Sequence, residues 1–368
     1  MLAAFIFNTS EFIPIGLLSD IAADFSIGES HAGMMITVYA WVVAIASLPL
    51  MLVFARTESK KLMLSIVALF IGSHVLSGIS TSFNMLMLSR IGVACSHAIF
   101  WSIVTPLAVR MAPEGRSSTA LGLIVSGSSF AMIVGLPLGR TIGLYVGWRM
   151  TFLIIAAAAL LVFCVLALTL RRNPGESNFT LRKLPALLKS PSLKRIYLLT
   201  VITITGHFTG YSYIEPFLAQ VTGMGGNGIT LVLTLFGVVG IVCSFVFSRC
   251  YDRRPGAFLM YAVGGICACL LLLQASAAAI WTSVLLCMFW GFAVSCFNLT
   301  FQSEVIRCAP QGTEVAMSIY SGIYNVGIGA GALVGGSVCD GMGLQFVGYV
   351  GGGIALIAVI CHLAGKRR

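Results

Sequence analysis

The 368 residues are 58% hydrophobic and only 9% charged, with a mean hydropathy of +0.99, which leaves too little polar surface to cover a soluble globule. The formal net charge of +10 would suit a nucleic acid if the cations clustered on one face. Of the 22 Lys and Arg, however, all but Arg90, Arg140 and Arg149 fall in alternate gaps between apolar runs, the asymmetry expected of cytoplasmic loops; the basic balance is topological and implies no nucleic-acid partner.

At about 20 residues per crossing, the apolar runs fall at 1–18, 31–54, 62–81, 85–109, 118–139, 150–170, 196–217, 229–248, 255–275, 279–303, 315–339 and 346–364. The pattern predicts an all-α membrane protein of twelve transmembrane helices with both termini cytoplasmic. The first run opens at Met1 without a basic lead-in or a small-residue cleavage site, so it is expected to be a retained helix entered part-way, not a signal peptide. It carries Asn8 and Glu11. The fourth run carries Arg90, His97 and Trp101, which a helix of 3.6 residues per turn returns to one face. In the fifth, Gly135, Gly139 and Gly143 follow at four-residue spacing around Pro137, with Gly147 beyond, and Gly327, Gly331 and Gly335 repeat the spacing in the eleventh. Such a bare ridge suits either close helix packing or a gate.

Arg110-Met111-Ala112-Pro113-Glu114-Gly115 returns as Arg307-Cys308-Ala309-Pro310-Gln311-Gly312, each time in a short polar break. An even number of crossings separates the copies, so they share an orientation and form a parallel repeat. Two pseudo-symmetric six-helix bundles, 1–170 and 196–368, are therefore expected, joined by a basic linker at 171–195. Leu184, Leu187 and Leu188 let the linker lie on the inner leaflet as an amphipathic helix, and a solvated connector fits equally well. A cysteine placed at Lys194 in a cysteine-free background should resist impermeant thiol reagents outside intact cells; labelling there would overturn the topology.

The other gaps are too short for a soluble catalytic or nucleotide-binding domain. Gly225-Gly226-Asn227-Gly228 lacks the lysine of a phosphate loop, so ATP is not the expected energy source. Most of the eleven cysteines sit inside apolar runs, none forms CxxC, and Cys267-Ala268-Cys269 has no acid or histidine beside it; no metal or cofactor is expected. No nucleophile–base set or HExxH spacing suggests an enzyme.

Gly135-Leu136-Pro137-Leu138-Gly139-Arg140 followed by Gly147-Trp148-Arg149 resembles the fifth-helix antiporter motif of the drug/proton antiporter branch of the major facilitator superfamily. Asp252-Arg253-Arg254 resembles the superfamily's gate motif, whereas the matching first-half loop, Ala55 to Lys61, lacks the usual Gly and Asp. Asn8-Thr9-Ser10-Glu11-Phe12, Ser96-His97-Ala98-Ile99-Phe100-Trp101 and Tyr211-Ser212-Tyr213-Ile214-Glu215-Pro216-Phe217 are most similar to the bacterial sugar efflux transporters within that branch. The resemblance spans the chain. It implies the major facilitator fold, alternating access in the bacterial inner membrane, and export of a small sugar such as arabinose or a galactoside in exchange for protons, by a monomer in the lipid bilayer. It also implies gating by Gly135, Pro137, Gly139, Arg140, Asp252, Arg253 and Arg254.

Among carboxylates, Glu11 and Glu215 stand out in apolar sequence. Ionised at mid-depth each would cost several kcal/mol, so both are candidates to carry a coupling proton, with Arg90 and His97 as modulators. Glu215, just before Pro216, fits equally a partly hydrated residue at the outer mouth or a backbone partner at the proline break. Arg90 has a structural alternative, snorkelling to the outer headgroups. A sugar needs hydroxyl partners and an aromatic plane, for which the candidates are Asn8, Trp41, His97, Trp101, His207, Tyr211, Asn298, Gln302, Tyr320, Tyr324 and Asn325. His74 is expected to be structural, and Glu304 and Glu314 to be solvated or paired with gate arginines. The competing function is proton-coupled export of amphipathic drugs, for which more buried acids would be expected.

Overall fold

A computed structural model describes residues 1–54, 57–113, 117–170, 190–253, 255–309 and 313–364. Residues 171–189 of the linker, Arg254 and parts of both repeated hexapeptides lie outside that set, as do the side chains of Asp252 and Glu314. Every regular element among the described residues is helical. In chain order these are α1 (Leu2–Gly16), α2 (Leu18–Asp24), α3 (Glu29–Phe54), α4 (Ser59–Gly78), α5 (Phe83–Met111), α6 (Ser117–Phe130), α7 (Leu136–Val146), α8 (Trp148–Thr169), α9 (Pro191–Tyr211), α10 (Gly226–Cys250), α11 (Pro255–Ser276), α12 (Ile280–Cys308), α13 (Thr313–Gly341) and α14 (Val347–Ala364).

Ten helical spans among the described residues are long and apolar enough to cross a bilayer, or eleven if the bent pair α1–α2 is one span. The expected seventh crossing, α9, is outside that set. Lys194, Arg195, Thr200, Thr203, Thr205 and His207 dilute its apolar character, and tertiary packing, not hydropathy, accounts for its burial.

Three expected continuous runs are broken, each close to a proline. The first bends by 63° between Gly16 and Leu18, three residues after Pro14. The fifth contains a π-turn at Ala131–Gly135 just before Pro137 and extends to Val146. The seventh ends at Tyr211, and Ile214–Pro216 then leads into a π-turn at Phe217–Val221. Proline has no N–H to give the carbonyl four residues back, so the ladder is interrupted and local π-geometry follows.

The chain divides into two compact units, one of Met1–Phe25 with Val38–Asn178, the other of Ser26–Thr37 with Phe179–Arg368. Ser26–Thr37 thus groups with the second unit, a departure from a boundary at 170. Within that unit Gln220 Nε2 donates to Glu29 Oε1 at 2.6 Å, and Gly33 is bare where the Tyr213 hydroxyl approaches.

The same packing device recurs in both units. In the first, the α7 glycines Gly139 and Gly143, with Gly135 before them, face Ile13, Leu17 and Thr9 of the first helix and its end. In the second, Gly327, Gly331 and Gly335 of α13 face Ile204, Phe208 and Tyr213, with Gly331 and Gly335 against the carbonyls of Thr205 and Thr209. Lipid tails are as apolar as leucine, so these helices associate through backbone approach and dispersion. Both ridges lie at close helix–helix contacts.

Candidate functional site

Helical spacing sends the side chains of α1 in three directions. Phe7 stacks between Phe70 and Phe100, with centroids 4.1 and 4.0 Å away. Thr9 and Ile13 meet the glycine ridge, while Asn8 Nδ2 donates to Ser128 Oγ at 2.8 Å. Glu11 is thereby directed toward α5, where its Oε2 lies 3.4 Å from His97 Nε2 and its side chain is 12% exposed. Tyr39 and Trp101 flank that histidine, with ring centroids at 5.7 and 6.0 Å.

Arg90 is fully buried, which removes the snorkelling alternative. Its guanidinium lies over the Tyr39 ring at 4.5 Å, and Nη1 donates to the Ser10 carbonyl at 3.2 Å. That carbonyl is the one Pro14 leaves without a helical partner, since it lies four residues before a residue with no N–H. The proline therefore prepares an acceptor for the buried cation. Arg90 also interacts electrostatically with Glu11. Its Nε and Nη2, His97 Nδ1 and the Tyr39 hydroxyl have no hydrogen-bond partner among the described residues. The expected face of Arg90, His97 and Trp101 is real, and its partners come from α1 and α3.

Ser10 and His74 adjoin this cluster. Ser10 Oγ lies 2.8 Å from His74 Nε2, and His74 Nδ1 lies 3.2 Å from the Phe70 carbonyl. A carbonyl only accepts, so Nδ1 carries the proton and Nε2 accepts from the serine. Replacing Pro14 by Ala supplies a competing N–H to the Ser10 carbonyl; we expect a straighter α1 and a more stable protein. Thermal melts would check this, and an unchanged or lowered melting temperature would exclude this role for the proline.

In the second unit, His207 and Tyr211 stack with centroids 5.0 Å apart, and Tyr211 stacks on Phe236 at 4.9 Å. The fully buried Trp290 closes the group, its Nε1 donating to His207 Nδ1 at 3.1 Å. Tyr320 and Tyr324 are neighbours at 6.0 Å, and Asn325 Nδ2 donates to the Ser321 carbonyl at 3.0 Å. Asn298 is half-buried, whereas Gln302 is exposed, and Trp41 of the first unit is 37% exposed. Glu215 is only 2% exposed, which overturns its reading as a hydrated mouth residue: the break around Pro216 tucks it inward.

The antiporter-motif residues lie at the α1–α7 contact. Arg140 is buried, and its Nη1 donates to the Gly16 carbonyl, one of the acceptors left open where α1 ends. It is not a loop cation. Arg149 Nη2 lies 2.8 Å from Asp24 Oδ2 and donates to the Ser80 carbonyl at 3.0 Å. Arg253 is exposed. Glu304 is buried, not solvated, and among the described residues its partners are Arg307, whose Nη2 donates to Oε2 at 2.6 Å, and Tyr251, whose hydroxyl donates to Oε1 at 2.7 Å.

Ser10, Tyr39 and His74 in the first unit, and Phe236 and Trp290 in the second, went unrecognised as site neighbours in the sequence. Only the adjacency of Ser10 to Glu11 offered a signal. The others are ordinary aromatic or polar residues inside apolar runs.

Many membrane-crossing helices, two units built by one packing scheme, and buried ionisable groups inside them define a membrane transporter. The chain belongs to the Major Facilitator Superfamily, whose sequence pattern it matches over residues 1–314. It is 47% identical over 362 residues to a probable sugar efflux transporter of Pasteurella multocida (strain Pm70), covering 98% of this chain and 90% of that protein. Its fold is similar to that of a bacterial homologue of the human lysosomal transporter Spinster in an inward-facing and occupied conformation, with a TM-score of 0.72 and 18% identity over 100% of this chain and 95% of that one. A POT family transporter in complex with a thioalcohol-conjugated peptide gives a TM-score of 0.80 at 13% identity, again over 100% and 95%. At those identities the solved structures bear on the fold alone.

Proposed function

We propose that the protein exports neutral sugars of the arabinose or galactoside kind across the bacterial inner membrane, exchanging each for a proton by alternating access, as a monomer with cytoplasmic termini. The observation that carries this reading is the Glu11–His97 contact of 3.4 Å beside the buried Arg90. A carboxylate held in apolar surroundings next to an imidazole and a guanidinium can exchange a proton with modest changes in hydration. Glu11 is the coupling acid, with Arg90 and His97 adjusting its proton affinity and Glu215 the competing acid. The candidate solute-binding residues are Asn8, Trp41, His97, Trp101, His207, Tyr211, Asn298, Gln302, Tyr320, Tyr324 and Asn325, whose polar and aromatic groups suit a hydroxyl-rich solute. Gly135, Pro137, Gly139, Arg140, Asp252, Arg253 and Arg254 serve the gating motion.

The similarity to a probable sugar efflux transporter supports the solute class, as does the neutral, hydroxyl-matching roster. Counterflow in proteoliposomes under an imposed pH gradient tests it, with pentoses, galactosides and cationic dyes compared. Sugar exchange that accelerates with an inward proton gradient is expected. Dye exchange without sugar exchange would replace this reading with drug export.

A further inference from the structure

We propose that Trp290 fixes His207 as a hydrogen-bond donor toward the solute, so that the second unit recognises an acceptor oxygen of a polyol. The inference rests on the sugar-binding reading of His207 and adds a positioning residue that the reading lacks. An indole nitrogen can only donate. With Trp290 Nε1 at 3.1 Å from His207 Nδ1, Nδ1 must be the bare nitrogen, and the neutral ring carries its proton on Nε2.

The geometry leaves the ring little freedom to change that assignment. Trp290 is fully buried and His207 is 2% exposed. The imidazole is held by Tyr211 on its face at 5.0 Å, at an interplanar angle of 22°, and by the Trp290 ring edge-on at 5.4 Å and 90°. Trp290 is itself braced by Phe236 at 6.0 Å, and Gly291 is bare where the Phe236 backbone passes. Turning the imidazole over would face the indole N–H with another N–H or a C–H, leaving a buried donor unpaired. The same argument shapes selectivity. A fixed N–H donor matches a sugar's hydroxyl oxygen, whereas a protonated amine offers it no acceptor.

The test uses the full chain, solubilised and labelled with ¹⁵N-histidine, with His207→Gln identifying the signal. In the parent, Nδ1 should show the shift of an unprotonated nitrogen and Nε2 that of an N–H, and in Trp290→Phe the pattern should become a mixture of tautomers. Binding of a transported sugar is then compared with its deoxy and deoxyfluoro analogues, since fluorine accepts but does not donate. At one hydroxyl position the deoxy analogue should bind about tenfold more weakly, as for loss of one hydrogen bond. The fluoro analogue should stay close to the sugar, and Trp290→Phe should erase the gap between the two. A parent spectrum with the proton on Nδ1 overturns the proposal, and it does so whether or not Trp290→Phe folds. A gap absent in the parent, or unchanged in a folded Trp290→Phe, also overturns it. A parent that binds none of the sugars instead removes the sugar reading itself.

Discussion

Glu11→Gln should abolish uphill export while leaving solute binding and exchange nearly intact. The amide preserves the shape of a protonated carboxyl beside His97 Nε2, which lies 3.4 Å from the native carboxylate, but it cannot titrate. A neutral sugar exchanged for one proton gains about 2.3 kcal/mol per 100 mV of membrane potential, enough for a gradient of roughly fortyfold at 1.4 kcal/mol per decade. That whole gradient is expected to collapse in the variant. Vesicles loaded with sugar and given an inward proton gradient provide the measurement, with counterflow at zero gradient as the control for binding and rocking. Glu215→Gln belongs in the same series because Glu215 is also buried. Concentrative export by Glu11→Gln with unchanged pH dependence would move the coupling proton to Glu215 or His97.

The second large effect concerns the glycine ridges, whose two copies should respond differently to rescue. A Cβ at Gly139 would meet the tip of the Ile13 side chain, whereas one at Gly331 would meet the Thr205 carbonyl and the Phe208 backbone. Overpacking typically costs about 1–3 kcal/mol, so both alanine variants should melt early in detergent. Truncating Ile13 to Ala removes both obstructing atoms, the δ-methyl and the Cγ1 behind it, so Gly139→Ala should cost much less in that background than in the parent. No comparable trimming relieves a backbone carbonyl, so Phe208→Leu should not rescue Gly331→Ala. Equal rescue in both pairs would mean that the helices shift apart, and the ridges would then be tolerant spacers instead of fixed contacts.

Membrane-spanning character and the approximate positions of most helical runs were legible in the chain, because each is a property of local averages, whereas the breaks near Pro14, Pro137 and Pro216 were not. Twenty apolar residues announce a crossing without any knowledge of neighbours, and Gly135, Gly139 and Gly143 announce a ridge by period alone. Glu11 stood out for the same reason, as a carboxylate where carboxylates are costly. Its partner was less determined. Arg90, His97 and Trp101 share a face by helical geometry, but whether that face met Glu11 or the headgroups depended on the rotation and depth of α1 against α5.

The tertiary structure made that choice, and Pro14 shows how: by withholding one N–H it leaves the Ser10 carbonyl for Arg90, a contact between residues eighty positions apart. Ser10 with His74, Trp290 with His207 and Tyr251 with Glu304 are decided in the same way. Hydropathy and periodicity describe one helix at a time. A hydrogen bond between helices requires two rotations and one axial offset to agree, and burial enforces that agreement because an unpaired polar group has no water to turn to.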